Sequence, residues 1–99
     1  MKIVWSPLAL ERVVEIAEFI ARDRPQAAAR WADAVFASVL RLEQFPESGR
    51  RVPESPRSDL REVIHGRYRV IYRLDPDRVT VLTVRHGRQD LQSNDPDLQ

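Results

Sequence analysis

The sequence predicts an α+β fold, an antiparallel sheet with a helical hairpin packed on one face, in the order β-α-α-β-β-β. Three observations lead there. Apolar residues recur at helical spacing through the first half, interrupted at Pro25. From 59 to 86 three runs alternate apolar and polar residues. Gly66 and Asp75-Pro76-Asp77 separate those runs with turn chemistry. A chain of 99 residues, 42% hydrophobic and 31% charged, suits one domain, 1–99, with one core.

Taken in order, residues 2–5 (KIVW) are a short strand ended by Ser6-Pro7. Ser6 suits the N-cap, and Pro7 the first helical position, where no amide donor is needed. Trp5 and Leu10 stand at the positions of a hydrophobic staple. Leu10, Val13, Val14, Ala17, Phe19 and Ile20 give a broad apolar stripe, which predicts a helix over 7–23. Pro25 then opens a second helix over 26–44, with Ala28, Trp31, Val35, Val39 and Leu42 at the periodic positions. The alanines at 27, 28, 29, 32, 34 and 37 let two helix axes approach, so the pair forms an antiparallel hairpin.

Phe45-Pro46 ends the second helix, and 46–56 (PESGRRVPESP) reads as a loop. Strands over 59–65, 67–74 and 78–86 follow as a meander. In the middle strand Tyr68, Val70, Tyr72 and Leu74 share one face, while Arg67, Arg69, Ile71 and Arg73 share the other. The first set is apolar enough to lie under the helices. The second is expected to point across an uncovered face. The register of the last strand stays open, because three-residue and four-residue turns give opposite parities.

Charge is unevenly spread. Net charge is +1, yet residues 50–88 hold 10 arginines against 5 acids, and 89–99 hold three aspartates and no base. Codon usage accounts for arginine over lysine but not for its concentration in one segment. A solvated sheet face is one reading. An anionic partner (RNA, DNA or an acidic protein segment) is the other, since the guanidinium fork matches phosphates and carboxylates. Arg50, Arg51 and Arg57 extend the same surface. Base stacking finds little support, because Tyr68 and Tyr72 fall on the core side.

Other chemistries are bounded by what the chain contains. It has no cysteine and only His65 and His86, so neither a disulfide framework nor a dedicated metal centre is expected, and no cofactor is implied. The N-terminus lacks a signal-peptide core and no run reaches a membrane span, so a cytoplasmic protein with no membrane partner is expected.

The fragments FPESGRRVPE (45–54), LRE (60–62), YRVIYR (68–73) and RHGRQDL (85–91), in this order and spacing, resemble the ParE/RelE superfamily of toxins from bacterial type II toxin–antitoxin systems. The resemblance covers nearly the whole chain. It implies a compact β-α-α-β-β-β toxin bound in a hetero-oligomer by the antitoxin of the same operon. It also implies two mechanisms. RelE-like members cleave mRNA on the ribosome, which needs a base for the 2′-hydroxyl, an acid for the leaving oxygen and cations for the developing charge. By position that set would be Arg61, Arg69, His86 and Arg88. Val63 stands where a lysine would be expected, and no tyrosine occurs after Tyr72. ParE-like members inhibit DNA gyrase by protein contact and need no catalytic set; the FPxxGR loop and the His86-Gly87 turn are closer to these. His86 also has a plain structural reading, as a residue that fills the strand-end corner. A member that has lost toxicity and survives as an antitoxin-binding module is the third class. The candidates for antitoxin or target contact are Arg67, Arg69, Ile71, Arg73, Arg85 and Arg88. An aliphatic Ile71 among arginines on a bare face implies an acidic, amphipathic antitoxin segment covering both.

Overall fold

The computed structural model describes residues 1–99. The elements are β1 (Lys2–Trp5), α1 (Pro7–Ala21), α2 (Pro25–Leu40), a 3-10 turn (Arg41–Glu43), β2 (Arg50–Arg51), β3 (Leu60–His65), β4 (Tyr68–Leu74), β5 (Arg78–His86) and a C-terminal 3-10 turn (Pro96–Leu98). The fold is α+β, with the helical hairpin on one face of a five-stranded sheet ordered β1-β5-β4-β3-β2. The sheet is mixed rather than purely antiparallel, because β1 pairs with β5 in parallel. The two-residue β2, within what reads as a loop, closes the opposite edge against β3. No helix is long and apolar enough to cross a membrane, and no group of three or more His, Cys, Asp or Glu side chains is placed to hold a metal ion.

Local chemistry explains the helical layer. The Ser6 hydroxyl accepts from the Ala9 amide at 3.0 Å and donates to the Leu82 carbonyl at 3.0 Å, so one residue caps α1 and ties it to β5. Helix α1 buries Ala9 and Val13, while Leu10, Val14 and Phe19 are exposed, so its core stripe is narrower and rotated from the periodicity. The staple does not form either, since Trp5 packs on Phe36 at 4.9 Å while Leu10 faces solvent. Helix α2 follows its pattern, burying Ala28, Val35 and Val39, with Leu42 buried in the turn beyond.

The face assignment of β4 holds. Val70 and Tyr72 are buried in the helix-side core with Val35, Val39, Val79 and Val81. The other face is the main correction. Ile71 is 0% exposed and joins a second core with Val52, Leu60, Leu82, Leu91 and Leu98. The 52–60 loop and the C-terminal tail supply that cover, so the face read as bare is a packed one. Strand β5 serves both cores through a bulge. Ile71 opposes Thr83 while Tyr72 opposes Val81, which leaves Leu82 as the extra residue. Val79, Val81 and Val84 therefore face the helices and Leu82 the tail. The strand has two parities, which no single period-two reading captures.

Candidate functional site

The loop between α2 and β2 is held by Tyr72. Its hydroxyl donates to the Pro46 carbonyl at 2.7 Å and accepts from the Gly49 amide at 3.1 Å. Burial pushes the phenol pKa up, which keeps it a donor. A Cβ on Gly49 would lie 2.6 Å from that oxygen and 2.7 Å from the Glu62 carbonyl, so only glycine fits there. Arg61 belongs to the same clamp, donating to the Gly49 carbonyl at 2.9 Å and the Glu47 carbonyl at 3.3 Å. The FPxxGR loop is thus fastened from β3 and β4 on the helix side of the sheet.

On the opposite face the arginines have acidic partners within the chain. Arg69, 6% exposed, donates through Nε to Glu62 at 2.7 Å and through both terminal nitrogens to Glu54 at 2.8 and 2.7 Å. Its hydrogen bonds to Glu54, then those to Glu62, outweigh burial and raise its pKa further; Glu54 is held below the ordinary carboxylate value by the same contact. Glu62 also accepts from Arg50 at 2.6 Å. Arg73 pairs with Asp75 at 2.7 Å, and Arg85 with Asp95 and Asp97 at 3.2 and 3.0 Å. Arg85 stands directly opposite Arg69, a like-charged pair tolerated because each has its own carboxylates. The counter-charges missing from a strand-by-strand reading come from the 52–60 loop, from β3, from the turn between β4 and β5 and from the tail. The tail's signal was present, since three aspartates and two leucines next to a basic segment have the composition of a cover for it.

Arg67 and Arg88 differ. Both are exposed, take part in no ion pair, and line an open cleft of about 360 Å³ at the Gly66 end of the sheet, together with Tyr68, His86 and Gly87. Their two turns are tied by a 2.7 Å bond from the Gly87 amide to the Arg67 carbonyl. Gly66 has φ 60°, the left-handed conformation of that tight corner. His86 Nδ1 accepts from the Arg88 amide at 3.0 Å, and its ring meets Tyr68 edge-on at 5.3 Å. The ring thus shapes the corner, with Nε2 left as its hydrogen-bearing nitrogen.

Of the six contact candidates, the structure leaves Arg67 and Arg88 free, pairs Arg69, Arg73 and Arg85 internally, and buries Ile71. Three of the four positions of the ribonuclease set, Arg69, His86 and Arg88, line the same cleft, and Arg61 lies outside it. Arg61 and Arg69 lie on opposite faces of the sheet and are committed to intramolecular acceptors. His86 shares the helix-side face with Tyr68, its cross-strand partner.

The family model described as ParE toxin of type II toxin–antitoxin system, parDE, matches residues 3–91. The candidate toxin Y4kP of Sinorhizobium fredii is 36% identical over 90 residues, covering 89% of this chain and 90% of that protein. A chain of the chromosomal ParDE toxin–antitoxin system from P. aeruginosa superposes with a TM-score of 0.74 at 17% identity, covering 87% of this chain and 95% of that one. A chain of the RelBE2 toxin–antitoxin complex from Mycobacterium tuberculosis superposes with a TM-score of 0.59 at 21% identity, covering 86% and 95%.

Proposed function

The chain belongs to the ParE toxin family of type II toxin–antitoxin systems, and from that premise we propose that it inhibits DNA gyrase by protein contact and is neutralised by an antitoxin encoded beside it. The observation that carries this reading is that Arg61 is separated from the other ribonuclease positions, while Arg69, which lines the cleft with His86 and Arg88, has Nε and both terminal nitrogens engaged by Glu62 and Glu54. In-line cleavage of RNA requires base, acid and phosphate-binding cation around one phosphate. Here Arg61 and Arg69 occupy opposite sheet faces, with their donors turned to carbonyls and carboxylates of the chain itself. No single phosphate reaches both. Contact inhibition needs only a shaped, charged surface, which the cleft at Arg67 and Arg88 supplies. The antitoxin reading follows from family membership and from the two neighbouring toxin–antitoxin systems.

Expression of the chain alone, with separate readouts, tests the choice. Loss of plasmid negative supercoiling with intact mRNA supports gyrase as the target. Cuts in translated mRNA with unchanged supercoiling would replace it with the ribosome.

A further inference from the structure

The C-terminal tail is fastened to the sheet through side chains. Its backbone hydrogen bonds are local, from Asp95 to Gln92, Leu98 to Asp95 and Gln99 to Pro96, and none of them reaches a strand. Asp97 accepts from Thr83 and from Arg85, each at 3.0 Å, with Arg12 beside it at 3.6 Å. Asp95 accepts from Arg85 at 3.2 Å, and Arg57 donates to the Leu98 carbonyl at 2.8 Å. Leu98 is the apolar anchor, packed with Ile71 and Leu82 in the second core. The fit is incomplete, because Arg12 and Arg85 each keep a buried Nε with no acceptor. Unmet donors offset part of what the other bonds contribute. A segment without main-chain bonds to its support opens locally before the sheet unfolds. The family match ends at residue 91, so 92–99 lie beyond it.

We propose that residues 92–99 are a releasable, autoinhibitory strap. Undocked, they uncover a groove that extends the cleft of Arg67 and Arg88 and takes an acidic surface of the target protein with an aliphatic side chain at its centre. The proposal rests on the contact reading above. All acceptors of Arg85 lie between residues 90 and 97, so undocking frees its guanidinium. Arg85 adjoins His86 and stands opposite Arg69, both of which line the cleft. Ile71 and Leu82 become the floor. The strap shows what this groove accepts. In Asp95-Pro96-Asp97-Leu98, two carboxylates meet Arg85 and one leucine meets the floor. A nucleic acid fits less well, because that floor is aliphatic and holds no ring on which a base could stack. While docked, the strap competes within the chain, and apparent affinity for the target falls with the fraction of open molecules.

Two measurements on the full chain test this, and either decides alone. The chain has no cysteine, so one introduced thiol is unique. Leu82→Cys places it beneath the strap, and Val81→Cys places it in the helix-side core of the same strand. Labelling by a thiol reagent is expected about 100-fold or more faster at 82 than at 81, and faster still with Asp95→Asn/Asp97→Asn. The second measurement is growth arrest on induced expression, which needs no cysteine. Asp95→Asn/Asp97→Asn, isosteric and with both leucines kept, is expected to arrest growth at about one fifth of the amount of the unaltered chain or less. Equal labelling at 81 and 82 overturns the strap. Unchanged or lowered potency of the asparagine variant overturns autoinhibition. Antitoxin that blocks labelling at 82, with potency unchanged, would assign the groove to the antitoxin and overturn the proposal. Raised potency with gyrase unhindered and mRNA cut overturns the gyrase reading and leaves the strap in place. Growth arrest by neither chain overturns both.

Discussion

At Glu62 a carboxylate 1% exposed accepts from Arg50 and Arg69 on either side. Removing it leaves Arg69 desolvated with Glu54 as its remaining acid. Glu62→Ala should therefore destabilise the fold by about 3 kcal/mol, within the range for breaking a buried pair, as read by chemical denaturation. Tyr72 is the second residue on which local order depends. Tyr72→Phe removes the bonds to Pro46 and Gly49 but keeps the ring in the core, so a loss of about 1–3 kcal/mol is expected. Faster amide exchange at Gly49 should accompany it; unchanged exchange there would mean that the clamp does not depend on the hydroxyl. The face of Tyr72, like that of Arg69, was legible from period two. Their partners were not, because the contacts span 7 residues for Arg69 to Glu62 and 26 for Tyr72 to Pro46, and no local pattern encodes them.

Among the elements, the C-terminal tail changes the reading most. Leu91 and Leu98 complete the second core, and Asp95 and Asp97 neutralise Arg85. Leu98→Ala should cost about 2–5 kcal/mol, as for other leucines in closed cores; a cost near zero would mean that the tail is dispensable. Strands β3, β4 and β5 and the hairpin of α1 and α2 were legible as elements because turn residues and apolar periodicity mark them out, although the stripe of α1 is rotated from its periodicity. The β5 bulge and the parallel β1 were not, since each is decided by a neighbour distant in sequence. Acid should loosen the basic face first. Glu54 lies below its ordinary 4.5, and Asp59 and Asp75 below 3.8, each chiefly through a hydrogen bond to an arginine (Arg69, Arg57 and Arg73). Because these pKa values are depressed in the folded state, the stabilisation is complete above 4.5 and 3.8 and is lost as pH falls through the folded values. Urea midpoints should be level from neutrality to about pH 5 and fall below about pH 4. A midpoint that rises on acidification would contradict the pairing.

For the whole molecule, a net charge of +1 conceals a basic sheet that the chain mostly neutralises for itself. At the Gly66 end and along the free edge of β3, Arg67, Arg88 and Ile64 face solvent, while Arg51 and Arg61, which also lack an acidic partner, bond to loop carbonyls. Family and fold were legible from motif order; the surface was not, because it is what remains after every internal pairing is counted. The central claim is that this surface acts by contact on gyrase rather than by chemistry on RNA. Its most direct test is a supercoiling assay with purified gyrase and relaxed plasmid, titrated with the purified chain, alongside translating ribosomes given the same preparation. Supercoiling is expected to fail as the chain is added and to return with prior addition of antitoxin, while mRNA stays whole. Gyrase that works unhindered while ribosome-bound mRNA is cut would contradict it.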